Sequence, residues 1–277
     1  MKIAVAPNLQ KKDAEACARE ATGILEACGW EVVQACGLYQ EGLRRRAAEE
    51  ALADCQILLA IGGDGTIIHA AKAAAAWDIP ILGVNAGKLG FTAGLEREEL
   101  AMLSRLTEPD LPEERRMMLH VTLTGPQGSQ SFLALNDAVV SAELAAIIDY
   151  QVSLGRERSY NCRADGFIVA TPTGSTAYTL SAGGPVVEPA LNCMLYTPIC
   201  PHSLFNRSIV FAPDTALTVY IPQNRGKLFL TTDGEPPVEL RAGDRLIFAK
   251  SSQSPRFIKL TESNFYDILS QKLLVNQ

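Results

Sequence analysis

The strongest constraint on the fold is the alternation of two patterns in the first third of the chain. Short apolar runs have the length and composition of buried strands, and these runs are KIAVA (2–6), WEVVQA (30–35), QILLAI (56–61) and IPILGV (79–84). The segments between them repeat their apolar residues at helical spacing, and these segments are 13–27, 43–53 and 66–77. Strands that alternate with helices form parallel sheets with helices on their faces. The sequence therefore predicts an α/β domain with a parallel, Rossmann-like sheet.

The rest of the chain changes to short strand-like runs separated by turn residues. EPDLPEE (108–114) is polar, contains two prolines, and is interpreted as a linker. MLHVTLT (118–124) and QSFLALNDAVVSA (130–142) flank the turn GPQG and are interpreted as the two strands of a hairpin. Similar runs continue to residue 261, and they predict a mostly antiparallel β structure.

These patterns predict three parts of the chain. An α/β domain that carries the GGDGT loop is expected over 1–108, and a β-rich domain of mostly antiparallel strands is expected over 109–262. The final segment, 263–277, contains FYDILSQKLL and is expected to form a helix that packs back onto the first domain.

Composition and charge argue against several classes of protein. Charged residues make up 20% of the 277 residues and the net charge is −6, which argues against a nucleic-acid-binding protein with a basic face. The start, MKIAVAPN, becomes polar too soon for a signal peptide, and no window holds 18 uninterrupted apolar residues, so no membrane span is expected. The seven cysteines contain no CxxC pair and lie mostly in apolar runs, which favours reduced cysteines and a cytoplasmic location.

The loop IGGDGT (61–66) lies where the third strand is expected to end and the next helix to begin. Ligands bind at this edge of open α/β sheets, and the N-terminus of a helix favours an anion. Gly62, Gly63 and Gly65 let the backbone turn sharply and let a ligand come close. Gly62, Gly63 and Thr66 are therefore candidate phosphate-binding residues.

Asp64 is the unusual member of this loop, because a carboxylate repels phosphate. It can accept the proton of a hydroxyl group that attacks phosphorus, or it can help to hold Mg²⁺ on the phosphates. Both roles indicate phosphoryl transfer. The alternative is that Asp64 only caps the helix that begins near Thr66, although a cap needs no glycine on each side.

Two further polar segments lie among apolar strands. The loop TPTGSTAY (171–178) follows the strand GFIVAT and offers hydroxyl groups suited to ribose and phosphate oxygens, and a turn with capping residues is an equal alternative. Asn136 and Asp137 are adjacent in an apolar run, so at least one meets solvent or a ligand unless the strand ends or bulges there. TTDGEP (231–236) is interpreted as a hairpin turn. Local positive charge comes from Arg163, Arg207 and Lys88.

Five segments, taken together and in this order, resemble the NAD kinase family, whose members are also called ATP-NAD or polyphosphate-NAD kinases. The segments are GGDGT (62–66), GVNAGKLGF (83–91), LNDAVVS (135–141), DGFIVATPTGSTAYTLSAGGP (165–185) and TPICPHSLFNR (197–207). The fourth segment is long and rarely seen elsewhere, whereas GGDGT also occurs in lipid kinases. The resemblance covers most of the chain and is strongest from residue 56 to residue 215.

The resemblance implies roles for individual residues. Asp64 looks like the family's catalytic aspartate, which lies near the 2′-hydroxyl of the adenosine ribose of NAD. Asp165 is implied to meet the nicotinamide half of NAD, from a neighbouring subunit, and His202 is a further position of resemblance with a looser role. No protein ligand to a metal is assigned. The residues implied to bind NAD are Gly65, Asn136, Asp137, Arg163, Asp165, Thr176, Ala177, Tyr178 and Asp233.

The implied activity is that of an NAD kinase, which phosphorylates the 2′-hydroxyl of the adenosine ribose of NAD to give NADP. The resemblance also implies ATP or polyphosphate as the phosphate donor, Mg²⁺ or another divalent metal with ATP, and a homo-oligomer, either a dimer or a tetramer. No nucleic-acid or membrane partner is expected. Two alternatives stay open: a lipid kinase, for which the sequence offers no membrane-facing segment, and a non-catalytic nucleotide sensor, which would lack the acid.

Three positions depart from the family pattern. Asp137 stands where the family usually has Glu, which is longer by one methylene group. Ser208 stands where the family often has Pro, and Ala86 stands where a larger residue is common. The resemblance therefore implies that Asp137 reaches its hydrogen bond differently, and that the choice or affinity of the phosphate donor differs near Ala86.

Overall fold

The computed structural model describes residues 1–40, 42–87, 90–143, 146–155, 159–202, 206–223 and 226–274. The chain divides into two compact units, each described separately below. The first unit consists of Met1–Arg115 together with Ser254–Gln277, and the second unit is Arg116–Gln253.

The first unit is built on one mixed sheet. Its strands in the described residues are β1 (Lys2–Pro7), β2 (Glu31–Gln34), β3 (Ile57–Gly62), β4 (Ile81–Asn85), β5 (Leu95–Glu96), β6 (Glu113–Arg115) and β19 (Arg256–Ile258). They lie in the order β2-β1-β3-β4-β19-β6, with β5 beside β4, and every pair is parallel except β19 with β6. The predicted parallel, Rossmann-like sheet is confirmed.

Helices cover this sheet because their apolar residues recur on one side. The helices of the first unit are α1 (Ala14–Ala27), α2 (Leu43–Glu50), α3 (Asp64–Ala76) and α5 (Phe265–Leu269), with 3₁₀ segments at Cys36–Tyr39 and Arg97–Thr107 and a π-helical segment at Ser270–Leu274. In α1, Cys17, Ala21 and Leu25 follow at four-residue spacing, are fully buried, and join the core with the strands. α3 is rich in alanine and buried along most of its length, which holds its first turn firmly at the end of β3.

Two short segments take a different place from the one expected. Glu113 and Glu114, interpreted as the end of a linker, belong to the edge strand β6 (Glu113–Arg115). Residues 256–258, expected in the β-rich domain, form β19 and pair with β4 of the first unit. Both runs are too short to show which sheet they join, because that depends on pairing with residues far away in the chain.

The second unit is a sandwich of antiparallel strands. Its strands in the described residues are β7 (Leu119–Gly125), β8 (Gly128–Ala134), β9 (Asp137–Ala142), β10 (Ile148–Leu154), β11 (Tyr160–Ala164), β12 (Gly166–Ala170), β13 (Met194–Ile199), β14 (Ile209–Phe211), β15 (Leu217–Tyr220), β16 (Leu228–Thr232), β17 (Val238–Leu240) and β18 (Arg245–Lys250). One sheet runs β11-β10-β15-β18-β7-β8 and the other runs β14-β13-β12-β9-β16-β17. Alternate residues of both sheets form one apolar core, in which the ring centroids of Phe167 and Tyr150 lie 4.8 Å apart. The mostly antiparallel β structure is confirmed.

The segment 130–142 corrects the hairpin interpretation. β7 and β8 do form a hairpin, but the run divides into β8 and β9, which belong to different sheets. The chain passes from one sheet to the other at Leu135 and Asn136. The position of Asn136 and Asp137 at this crossing explains how polar residues interrupt an apolar run.

The short helical elements of the second unit follow β12. They are a 3₁₀ turn at Thr173–Thr176 and the helix α4 (Tyr178–Ser181). In the part of the chain that the structure describes, no helix is both long enough and apolar enough to cross a membrane.

Candidate functional site

The GGDGT loop joins β3 to α3, and its carboxylate reaches a separate segment of the first unit. Gly63 is the N-cap of α3, so the helix begins at Asp64 itself. The Asp64 carboxylate accepts the backbone N–H of Phe91 at Oδ2 and that of Thr92 at Oδ1, each at 3.0 Å. The alternative that Asp64 only caps the helix is therefore wrong, because its oxygens bind a loop that lies outside the helix.

The glycines around Asp64 divide into those that meet protein atoms and those that face open space. A Cβ at Gly90 would overlap Asp64 Oδ1, and a Cβ at Gly62 would lie 2.5 Å from Thr66 Oγ1. A Cβ at Gly63 or Gly65 would meet no protein atom within 4 Å. The loop therefore has packed glycines that fix Asp64 and open glycines beside the N-terminus of α3, where an anion has room to approach.

The ends of neighbouring strands support this loop with residues that the sequence analysis did not single out. Asn8, directly after β1, donates from Nδ2 to Thr66 Oγ1 at 3.0 Å. Asn85, the last residue of β4, is 2% exposed and donates from Nδ2 to Glu96 Oε2 at 2.8 Å. Burial raises the pKa of Glu96, and the hydrogen bond from Asn85 partly opposes that rise. Their place in the sequence could have identified them, because both asparagines stand at the carboxyl end of a parallel strand, where ligands bind.

A cation from the C-terminal segment lies beside the same carboxylate. Lys272 Nζ is 3.8 Å from Asp64 Oδ2 and 4.2 Å from the centroid of the Phe91 ring. Lys88, which the sequence analysis named as a source of positive charge, lies outside the described residues.

The second unit brings two separate segments together at Asp233. Its carboxylate accepts the backbone N–H of Leu135 and Asn136 at 2.8 Å each and that of Asp137 at 3.1 Å. In return, the Asp233 N–H donates to the Asp137 carbonyl oxygen at 3.0 Å. Asp233 and Gly234 have φ values of 49° and 72°, and they make the predicted turn between β16 and β17. Asp233 thus fastens this turn to the crossing between the two sheets.

Asp137 is the buried acid of this cluster, with 6% of the residue exposed. Burial and, second, the negative charge of Asp233 raise the pKa of its carboxyl group to about 7, although the backbone N–H of Tyr178 opposes the rise. A carboxyl group in this state changes its charge near neutral pH, unlike an aspartate in water.

The TPTGSTAY loop is held against the same crossing. Thr171 donates its backbone N–H to the Asn136 carbonyl oxygen at 2.9 Å, and a Cβ at Gly174 would overlap that carbonyl group. The Thr173 hydroxyl is buried and has no hydrogen-bond partner in the described part of the chain. Tyr178, in contrast, is 47% exposed. The structure therefore brings together six of the predicted residues, and these are Asn136, Asp137, Thr176, Ala177, Tyr178 and Asp233.

Arg163, Asp165 and His202 form a second group in this unit. The Arg163 side chain pairs with Asp149, with Nε 3.2 Å from Oδ1, and its carbonyl oxygen accepts the His202 backbone N–H at 2.7 Å. The imidazole Nε2 of His202 lies 3.8 Å from Asp165 Oδ1. The structure places these three predicted residues together on partly exposed surface.

Two departures from the family pattern make contacts of their own. Ser208 shares a hydrogen bond of 2.9 Å between its hydroxyl group and that of Thr197, which a proline could not make. Ala86 donates its backbone N–H to the Gly62 carbonyl oxygen at 3.2 Å, directly beside the GGDGT loop.

Comparison with known protein families matches sequence in both units. Residues 3–108 match the model of the ATP-NAD kinase N-terminal domain. Residues 135–260 match the model of the ATP-NAD kinase C-terminal domain. The two matches together extend over most of the chain.

Curated relatives carry the same description. The chain is 43% identical over 223 residues to the NAD kinase of Symbiobacterium thermophilum, covering 79% of each chain. It is 38% identical over 283 residues to the NAD kinase of Caldanaerobacter subterraneus subsp. tengcongensis, covering 98% of each chain. Matches of this length extend through both units.

Solved structures with a similar fold include two kinases. Yeast NADH kinase complexed with NADH gives a TM-score of 0.85 at 22% identity, over 100% of this chain and 88% of that chain. An NAD kinase from Archaeoglobus fulgidus in complex with ATP gives a TM-score of 0.76 at 26% identity, over 98% of each chain. The first likeness shows the fold, and the second adds a more similar sequence.

Proposed function

Because the chain belongs to the NAD kinase family, we propose that Asp64 receives the proton when the 2′-hydroxyl of the adenosine ribose of NAD attacks a phosphate donor. The chain is an NAD kinase, a phosphotransferase, and this membership decides against the lipid-kinase and sensor alternatives. The observation that supports the role of Asp64 is its fixed carboxylate, which two backbone N–H groups orient at the end of β3.

The reaction forms one bond to phosphorus, breaks another and transfers one proton. The ribose oxygen forms a bond to the terminal phosphorus of the donor while the bond from phosphorus to the leaving oxygen breaks. The hydroxyl proton passes to the Asp64 carboxylate, a transfer that contributes roughly 10²–10⁴-fold to rate in enzymes. The phosphate oxygens lie at the N-terminus of α3, where Gly63 and Gly65 leave open space, and Gly62 and Thr66 pack against each other beside it.

The cluster around Asp233 supplies the NAD-binding groups of the second unit. Asn136 and Asp137 present polar groups where the chain crosses between the sheets, and Thr176, Ala177 and Tyr178 stand beside them. The Thr173 hydroxyl is buried without a hydrogen-bond partner among the residues that the structure describes, which supports a ligand at this loop, because buried polar groups are generally hydrogen-bonded. Gly65, Arg163, Asp165 and His202 complete the assignment, and Asp233 acts by holding Asn136 and Asp137 in place.

A divalent metal, Mg²⁺, neutralises charge on the phosphates of the donor when it is bound. The described residues contain no group of three or more acidic, histidine or cysteine side chains that could hold a metal by themselves. Asp64 fits a nucleotide-borne Mg²⁺, which commonly takes one or two carboxylates together with phosphate oxygens and water.

The proposal extends to the phosphate donor, the oligomeric state and the cellular location. ATP is proposed as the donor because the NAD kinase of Archaeoglobus fulgidus is described in complex with ATP, and polyphosphate is the alternative donor that the family resemblance implies. A homo-oligomer, dimer or tetramer, rests on the family resemblance alone. The cysteines of the described chain are free thiols, which supports a cytoplasmic enzyme of NADP synthesis.

The test is formation of NADP from NAD and ATP with Mg²⁺ by the purified protein. Asp64→Asn removes the proton acceptor but keeps the size of the side chain and one oxygen, so turnover should fall by roughly 10²–10⁴-fold while the protein stays folded. Asp54→Asn is the matched control, because Asp54 is an exposed aspartate of the same unit. Near wild-type NADP formation by Asp64→Asn would refute the assignment of Asp64.

A further inference from the structure

The C-terminal segment ends beside the proposed proton acceptor. Asn264 begins this segment, and its side chain accepts the backbone N–H groups of Tyr266 and Asp267 at 2.9 and 3.1 Å. The helix α5 continues into the π-helical segment Ser270–Leu274, which carries Lys272. The cap at Asn264 gives the segment that carries Lys272 a defined start.

Phe91 connects Lys272 to Asp64 in two ways. The Phe91 backbone N–H donates to Asp64 Oδ2, and the face of its ring lies 4.2 Å below Lys272 Nζ. The Phe265 ring packs 6.3 Å from the Phe91 ring, which ties α5 to the same residue. An ammonium group over an aromatic face is attracted by the ring's electron density, so Phe91 holds the cation next to the carboxylate.

The geometry differs from that of a simple structural salt bridge. Lys272 Nζ lies 3.8 Å from Asp64 Oδ2, whereas a direct charged hydrogen bond is about 2.8 Å long. The two side chains keep 25% and 33% of their surface exposed, so solvent screens part of their attraction. At this distance the ammonium group makes no direct charged hydrogen bond to Oδ2, so it can donate to a second anionic group beside the carboxylate.

We propose that Lys272 is a further catalytic residue, whose ammonium group contacts the phosphoryl group as it passes to the ribose hydroxyl. This proposal rests on the assignment of Asp64 as proton acceptor. Charge spreads over the three oxygens of the transferred group, and a fixed cation stabilises it most in the transition state. In this step the hydroxyl proton goes to Asp64 and the phosphoryl group moves from donor to ribose, and Lys272 contributes only its charge.

The experiment compares three variants of the full-length enzyme in steady-state NADP formation. Lys272→Met removes the charge but keeps an unbranched chain over Phe91, so kcat should fall by roughly 10- to 100-fold with the KM for NAD within about twofold. Lys272→Arg keeps a cation and should recover most of that loss. Gln271→Met is the matched control, since Gln271 is exposed on the same segment, and it should leave kcat unchanged.

Two results would overturn the proposal. An unchanged kcat in Lys272→Met would show that the cation contributes nothing to transfer. An increased kcat would show instead that Lys272 obstructs Asp64 in the wild-type enzyme. If Asp64→Asn stays active, the proposed function itself fails. If Asp64→Asn is inactive and Lys272→Met is not, only the role of Lys272 fails.

A binding measurement covers the case in which Lys272→Met folds poorly. ADP with fluoroaluminate and NAD imitates the transferred phosphoryl group, and its binding can be measured for the folded variant Lys272→Arg and for any folded fraction of Lys272→Met. Lys272→Met should bind this combination at least 10-fold more weakly than Lys272→Arg, while ADP alone binds equally to both. Equal binding of the combination by the two variants would contradict the proposal.

Discussion

Asp64 and Asp137 are both aspartates close to strand ends, one in each unit, and their carboxylates have opposite surroundings. Asp64 accepts two backbone N–H bonds and has the Lys272 ammonium 3.8 Å away, with a third of its side chain exposed. Asp137 is buried beside the carboxylate of Asp233 and receives one backbone N–H, from Tyr178. The same residue type is thus held by positive groups in one place and crowded by a negative group in the other.

This difference separates two kinds of function. A carboxylate that is oriented by donors and reachable by solvent is suited to accept a proton at a reacting centre. A buried carboxyl group with a pKa near 7 is suited to hold a ligand, because its protonation determines whether it accepts or donates a hydrogen bond. The comparison therefore agrees with a catalytic Asp64 and a binding Asp137.

The largest effect is expected from crowding Asp64. Gly90→Ala places a Cβ on Asp64 Oδ1, so the carboxylate must move, and kcat should fall by roughly 10²-fold because catalysis is that sensitive to a displacement of about 1 Å. Steady-state kinetics of NADP formation measure the loss. Gly23→Ala is the control, because its added Cβ meets no protein atom within 4 Å and Gly23 lies in the helix α1, outside the GGDGT loop. A Gly90→Ala enzyme with wild-type kcat would show that the position of Asp64 is not critical.

The second-largest effect is expected from removing the Asp233 carboxylate, which holds the backbone at Asp137 in place. Asp233→Gly removes the acceptor of three backbone N–H groups without straining a residue at φ 49°, and it should lower the free energy of unfolding by about 2–4 kcal/mol. The KM for NAD should rise as well, because Asn136 and Asp137 lose their anchor. Urea denaturation and kinetics measure both quantities.

The matched variant for that prediction is Asp233→Asn. Asparagine tolerates the left-handed backbone and keeps one oxygen, which suits the two N–H groups at Oδ1. It should therefore cost less than Asp233→Gly. If the urea concentration at the midpoint of unfolding is the same for both variants and the wild-type protein, Asp233 does not anchor the crossing between the two sheets.

A smaller effect concerns pH and the buried acid. The pKa of Asp137 is raised from its ordinary 3.8 to about 7, so the native protein holds this proton more tightly than the unfolded chain. The contribution of Asp137 to stability is fully present below about pH 4 and is lost as the pH rises through 7. Asp137→Asn should lack this loss, so the difference in melting temperature between variant and wild type should grow from pH 4 to pH 8. Parallel pH profiles would contradict the raised pKa.

The smallest effect is expected at Arg163. The side chains of Arg163 and its ion-pair partner Asp149 are each about half exposed, so Arg163→Ala should change the free energy of unfolding by less than about 1 kcal/mol. A raised KM for NAD in the same variant would then report a contact with NAD and not a folding defect. A loss of stability well above 1 kcal/mol would show that Arg163 is structural.

Much of the fold could be predicted because its signals are local. The strands and helices of the first hundred residues followed from periodicity, and the place of the GGDGT loop followed from the strand before it and the helix after it. The segment 130–142 was interpreted as one strand, because its break at Leu135 and Asn136 reflects pairing with two different sheets. Pairing partners of this kind are not visible in a short window of sequence.

The sequence by itself determined the order of strands and helices, the parallel sheet and the family, because periodicity and motifs are properties of neighbouring residues. Only the tertiary structure decided the state of the two acids. Asp64 owes its orientation to Phe91 and Thr92 and its neighbouring charge to Lys272, while Asp137 owes its raised pKa to burial and to Asp233. These groups lie far apart in the chain, and charge and desolvation act through distance in space.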